Sequence, residues 1–218
     1  SDKPLILISG NGVRGTSYGI FHFIERIKLD YSFAYGKIDI IKQPDMKIRM
    51  ITQPFEAIGY PDVANLPKPI TKNIKREFDP MRPWEGLGYN PEDEARNILR
   101  SGLNAMWVGN FSFSTVYDNY DSSIFPENSE AGQWVRKRKQ KISELIDIAN
   151  KYHLKTVASS DIFIYPKGQD PSKKWDLLDY SLNEFLTNFP EIDIITTRFG
   201  ENYSYYNNFF VGEGLDTK

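Results

Sequence analysis

The chain has 218 residues, 40% of them hydrophobic and 26% charged, with 27 Lys+Arg against 29 Asp+Glu and a net charge of −2. That balance is ordinary for a globular protein, and it offers no basic excess for nucleic acid and no polybasic run for a membrane surface. The absence of cysteine excludes disulfides, thiolate metal sites and a cysteine nucleophile, and no run approaches the ~18 apolar residues that cross a bilayer.

The opening SDKPLILISG carries neither an initiator Met nor a signal peptide. A leader has been removed, or the chain begins inside a longer protein. Residues 5–9 read as a short strand and GNG (10–12) breaks it. In 14–28, Tyr18, Phe21, Ile24 and Ile27 recur every three residues, which predicts a helix with one apolar face. Residues 36–45 read as a second strand. Together these make about 45 residues of small α/β unit.

From Lys47 the pattern alternates strands with amphipathic helices. KIRMIT (47–52) predicts a strand, and 53–90 a long Pro- and Gly-rich loop. PEDEARNILRSG (91–102) predicts a helix, with Pro at its start, acids in its first turn and Gly at its end. Strands at 104–109, 155–160 and 192–200 come next, separated by helices at 131–153 and 175–190. The basic run RKRKQK (136–141) reads as the solvated face of a helix. His22 and His153 are the only histidines and lie far apart, so neither a metal pair nor a Ser–His dyad is expected.

Strands joined through helices imply parallel pairing by βαβ crossovers. The long loops all come after strands, whereas the returns from helix to strand are short. That asymmetry belongs to a (β/α) barrel, whose working face is made of the loops after the strands. No Gly-rich phosphate loop stands after any strand, which disfavours a nucleotide-binding sheet. An eight-stranded barrel needs roughly 250 residues. The expected fold is therefore α/β: residues 1–45 as the remnant of a small N-terminal α/β domain, and 46–218 as the first half, about four βα units, of a (β/α)8 barrel.

On that arrangement the strand ends converge on one site. Arg49 and Gln53 come from the first strand, Trp107 and Asn110 from the second, Asp161 from the third, and Arg198, Glu201 and Asn202 from the fourth. Arginine binds carboxylates bidentately, aromatic faces stack on sugar rings, and Asp and Glu accept from hydroxyls or transfer protons. The set suits a polyhydroxylated, acidic ligand. Each residue also has a plainer reading: Arg49 pairing with a core acid such as Asp161, Trp107 filling the core, Asp161 starting a turn.

GNGVRGTSYGIFHFIERI, with Arg14, Gly15, Tyr18, Gly19 and Phe21, resembles the end of the small domain that precedes the barrel in α-glucuronidases and β-hexosaminidase-like glycoside hydrolases. KIRMIT is similar to the first barrel strand of the α-glucuronidase group, and NEFLTNFPEIDIITTRFGENY to its fourth-strand segment. The resemblance implies hydrolysis of a glycosidic bond in a uronic-acid-bearing polysaccharide, with Glu201 in the general-acid position. It implies no cofactor or metal, a carbohydrate as partner rather than nucleic acid or membrane, and a periplasmic or extracellular setting. Glycoside hydrolysis needs a second carboxyl group, which in these families lies on later strands. The 218 residues alone are thus expected to be inactive. The alternative is a non-catalytic carbohydrate-binding or assembly half-barrel that dimerises, so either a second copy or a missing C-terminal half completes the barrel.

Overall fold

The computed structural model describes residues 6–30, 39–50, 90–161, 164–198, 205–206 and 209–212. Helix α1 spans Gly12–Leu29, α2 Pro91–Arg100, α3 Glu130–Lys151 and α4 Lys174–Asn188. The strands are β1 (Ala105–Asn110), β2 (Lys155–Asp161), β3 (Ile164–Pro166), β4 (Ile194–Arg198), β5 (Tyr205–Tyr206) and β6 (Phe210–Gly212). They form a parallel sheet in the order β1-β2-β4 and a small antiparallel sheet in the order β3-β6-β5.

The helices begin and end where local chemistry dictates. In α2, Pro91 takes the first position, where its missing N–H costs nothing, and Asn90 Oδ1 accepts from Glu92 N at 2.9 Å. Glu92, Asp93 and Glu94 sit at the positive end of the dipole. Gly102, at φ +73°, turns the chain out in the left-handed region, and Leu103 N closes back on Ile98 O at 3.0 Å. In α3, Ser129 Oγ accepts from Gly132 N at 3.0 Å. His153 takes the left-handed position after its C-terminus at φ 54°, while Leu154 N reaches back to Ala149 O at 2.8 Å.

Two crossovers build the parallel sheet, α3 between β1 and β2 and α4 between β2 and β4. Both helices pack on the same face. Ile142, Leu145, Ile146 and Ala149 of α3 and Phe185 of α4 join Ala95, Ile98 and Leu99 of α2 in one core against Met106, Val108 and Ala158. Two right-handed crossovers that advance across the sheet in one direction must leave their helices on one side. Alternation puts Trp107, Val157, Ser159, Ile194 and Thr196 on the other face. At the start of the sheet, Asp193 accepts from Thr156 N at 3.0 Å and Lys155 Nζ at 3.1 Å. Thr156 Oγ1 donates to Glu191 O at 2.7 Å. This clasp sets the register of β4 on β2.

The N-terminal expectations meet a mixed outcome. The helix expected at 14–28 is α1, but residues 6–9 and 39–50 form no strand. A strand exists only through a neighbour that takes its backbone groups, and among the described residues the one such neighbour is the head of β1. There Asn104, buried, donates from Nδ2 to Lys47 O at 2.7 Å and accepts from Arg49 N at 2.7 Å, while Asn104 N donates to Arg49 O at 2.9 Å. Segment 47–50 thus docks beside β1, where the sequence places the first strand, with irregular geometry. Contacts also cross the boundary expected at residue 45: α1 packs on α2, and Tyr18 Oη donates to Leu103 O at 2.6 Å.

The run RKRKQK is a solvated face only in part: Lys137 and Gln140 are exposed, but three of its cations are engaged. Arg136 bridges to Asp118 at 2.7 Å, Arg138 is buried with its guanidinium 5.1 Å from the Trp134 ring centre, and Lys139 pairs with Glu184 of α4. Their aliphatic stems line the seam between α3, α4 and the loop after β1, so the charges are drawn into the packing. Burial raises the Glu184 carboxyl above its ordinary 4.5, and the Lys139 ammonium only partly offsets it. The folded chain therefore holds that proton more tightly than the unfolded chain. Its contribution to stability falls as pH rises from the ordinary value through the raised one, then stays level. We expect wild type to lose thermal stability relative to Glu184→Gln as pH rises above the ordinary carboxyl value of 4.5, read by calorimetry of the two proteins side by side. A Tm difference that is flat or rises with pH would contradict the assignment.

Candidate functional site

The C-terminal ends of β1, β2 and β4 make a polar rim. In β1 the register slips between Trp107 and Gly109, so that Gly109 faces Ala158 and Asn110 faces Ser159. Such a bulge bends the strand and re-aims the residues beyond it. Glycine is required here because a Cβ at 109 would stand 2.7 Å from Ile142 Cγ1 of α3. Past the bulge, Phe111 N still donates to Ser159 O at 3.2 Å, extending the pairing by one residue.

Trp107 is half-buried and packs in part against the main core, as its plainer reading had it, and its Nε1 donates to Ser159 Oγ at 2.7 Å. The bond ties the indole to the neighbouring strand. Asn110 Oδ1 accepts from Ser112 N at 3.0 Å, which turns the chain into the loop. Ser112 and Ser160 share a buried hydroxyl pair at 2.6 Å. Asp161 and Arg198 hold paired register positions at the last residues of β2 and β4.

The sheet thus brings Trp107, Asn110, Asp161 and Arg198 to one end. It places Arg49 at the other. Arg49 Nε donates to Gly102 O at 2.7 Å and a terminal nitrogen to Met46 O at 2.5 Å, while its guanidinium lies 5.6 Å from the Tyr18 ring centre. These groups surround the turn after α2, where the strands begin, so Arg49 ties the incoming segment to that turn. The core acid considered for it, Asp161, has Arg198 as its register partner. Gln53, Glu201 and Asn202 lie outside the described residues. Ser159 stands at the end of the third strand expected from the sequence, but nothing there singles it out from Ser160. Its signal is the alternation that puts it on the face of Trp107, legible only once the pairing of β1 with β2 is known.

Behind the rim, the loops after the strands close into a second, aromatic-rich core. Strand β3, which comes after β2, pairs with β6, which comes after β4. Their Ile164 and Phe210 pack with Phe113 and Val135, and Tyr165 packs with Tyr117, Ile124 and Leu177. Phe113 meets Phe210 edge-on with centroids 5.0 Å apart. The loop aromatics at 111–125 are chiefly scaffold, and they stiffen the floor from which the rim is presented.

On the far side, a groove of about 430 Å³ runs between α1 and α2. Its charged walls neutralise one another, with Glu25 held by Arg100 at 2.8 Å and by Lys28 at 3.1 Å. Among the described residues no cluster of three His, Asp or Glu could hold a metal ion. Comparison with known protein families, with curated proteins and with solved structures returned no match.

Proposed function

We propose that this chain is the N-terminal part of a glycoside hydrolase that acts on a uronic-acid-containing polysaccharide, its parallel sheet being the first half of a (β/α)8 barrel. The observation that carries the reading is the winding of the sheet. Strands β1, β2 and β4 succeed one another in chain order with both crossover helices on one face. A barrel advances in one sense and keeps its helices outside, and these three strands wind in that way. Segment 47–50, docked beside the head of β1, stands where the first strand of that barrel belongs. In barrels of this type ligands bind at the C-terminal strand ends, where Trp107, Asn110, Ser159, Asp161 and Arg198 gather.

In this reading Trp107 is the platform for a sugar ring, Arg198 receives the uronate carboxylate and Asn110 takes ring hydroxyls. Glu201, three residues past the end of β4, is the general acid. The partner carboxylate comes from a later strand, and substrates of this class place the enzyme outside the cytoplasm.

The test is a binding and turnover pair on the 218-residue chain. Titration with a glucuronic-acid-bearing xylo-oligosaccharide is expected to quench tryptophan fluorescence. Trp107→Ala is expected to weaken binding at least tenfold, the loss of about 1.4 kcal/mol or more, and turnover of aryl glycosides is expected to be absent. No binding of acidic or neutral oligosaccharides at millimolar concentration would sink the carbohydrate reading. Robust turnover would instead show that both carboxylates lie within this chain.

A further inference from the structure

On the face that carries Trp107, the parallel sheet changes character within one step along the strands. Trp107, Val157 and Ile194 are register partners across β1, β2 and β4 and make an apolar row. The next row on that face, toward the strand ends, is Asn110, Ser159 and Thr196. All three are half-buried. Asn110 joins the row because of the bulge in β1. The extra residue leaves Val108 and Gly109 both turned to the helix core and returns Asn110 to the face of Trp107.

The polar groups of this row are largely unspent. Asn110 Oδ1 accepts from Ser112 N, but among the described residues its amide nitrogen donates to nothing. Ser159 Oγ accepts from Trp107 Nε1 at 2.7 Å. A hydroxyl that accepts from an N–H must turn its own proton elsewhere. Among the described residues that proton has no acceptor, and the Thr196 hydroxyl has no partner. The contrast is Ser160, one residue on and facing the other way, which is buried and shares its hydrogen bond with Ser112. Polar side chains on the helix side are satisfied internally, as buried groups normally are, while those in this row keep their donors for what lies in front of the sheet.

We propose that Asn110, Ser159 and Thr196 hold the neutral hydroxyls of one sugar ring whose apolar face lies against the accessible part of Trp107. The inference rests on the carbohydrate reading and adds two binding residues to it, Ser159 and Thr196. No member of the row is charged, so the row suits hydroxyls, and the carboxylate of an acidic sugar is left to Arg198. Neighbouring members stand about 4.8 Å apart at their backbones, close to the separation of hydroxyls two carbons apart on a pyranose ring.

The test titrates the 218-residue chain with a neutral xylo-oligosaccharide and with its glucuronic-acid-bearing counterpart. Ser159→Ala and Thr196→Val, each of which removes one hydroxyl, are expected to weaken both ligands by the same factor, about three- to tenfold. Thr196→Ser keeps the hydroxyl and should bind like wild type. Thr197→Val, at an exposed position on the opposite face, should also bind like wild type. In proton–nitrogen spectra Ser159→Ala should move the Trp107 indole signal, and Thr196→Val should not. Wild type that binds neither ligand overturns the carbohydrate reading and this subsite with it. Wild type that binds, with Ser159→Ala and Thr196→Val binding equally well, overturns the subsite alone. A loss confined to the acidic ligand also overturns it, because the row would then not be reading neutral hydroxyls.

Discussion

Gly132→Ala should lower stability by about 3 kcal/mol, although it replaces glycine by the best helix former inside a helix. Intrinsic propensity alone would give the opposite sign, a gain of roughly 1 kcal/mol. Tertiary geometry decides otherwise. Gly132 lies in the first turn of α3, pressed against the end of the preceding loop. A Cβ there would meet Pro126 O head-on and stand 2.8 Å from Phe125 O and 2.9 Å from Pro126 C. All three are backbone atoms, so no side chain can swing aside. Relief would require shifting the loop, whose Ser129 both donates to Pro126 O at 2.6 Å and caps α3. Overpacking of this kind costs about 1–3 kcal/mol, and the loss of the cap geometry adds to it. For a chain of this size the total corresponds to a fall in Tm of roughly 6–12 °C. Thermal melts of the variant provide the check. A Tm equal to or above wild type would mean that the loop is not held against the helix as described.

Phe185→Ala is expected to cost about 3–5 kcal/mol, the range for a fully buried phenylalanine. The ring is wholly inaccessible. It lies between Phe189 at 4.9 Å and Phe111 at 6.0 Å, and so joins the end of α4 to the first residue after β1. The cavity opens at the point where helix layer, sheet and rim loop meet. Its walls are aromatic rings and the sheet, and they cannot collapse cheaply. Phe185→Leu, which keeps most of the volume, should recover more than half of the loss. Urea denaturation of both variants separates the outcomes: equal destabilisation by Ala and Leu would point to a lost ring geometry rather than a cavity. Phe185 is not a rim residue, so any effect on sugar binding should track the unfolded fraction alone.

The elements from residue 90 onward were legible one by one. Pro91 with three acids behind it announced α2. The apolar runs at 104–109, 155–160 and 192–200 announced the parallel strands, and the spacing between them announced crossovers. These signals are local: a cap, a dipole and a period belong to neighbours in the chain, so the residues suffice to read them. The N-terminal strands were not legible in the same way. LILIS and KIRMIT have strand composition, but composition supplies no pairing partner: among the described residues 6–9 form no ladder, and 47–50 meet the head of β1 mostly through the Asn104 side chain.

The candidate site divides along the same line. That strand ends would converge was readable, because the long loops all come after strands and parallel strands share one direction. Which residues arrive there was not. Arg49 looked equivalent to Arg198 in sequence, yet the structure spends it on Gly102 O and Met46 O at the opposite end of the sheet. The bulge at Gly109, the Trp107–Ser159 bond and the facing of Asp161 with Arg198 depend on register. Register is a relation between strands about 50 and about 40 residues apart in the chain, held by the Asp193–Thr156 clasp and by side chains crossing the core. The basic run on α3 makes the same point. Six residues of mostly positive charge looked like a wet surface. Asp118, Trp134 and Glu184, brought from the loop, the same helix and the next helix, drew Arg136, Arg138 and Lys139 into the packing, while Lys137 and Gln140 stayed exposed. Local residue order was enough for the helices and for the parallel strands. The identity of the side chains standing at the strand ends came from the folded arrangement, because long-range pairing, not local preference, chooses the neighbours of each strand.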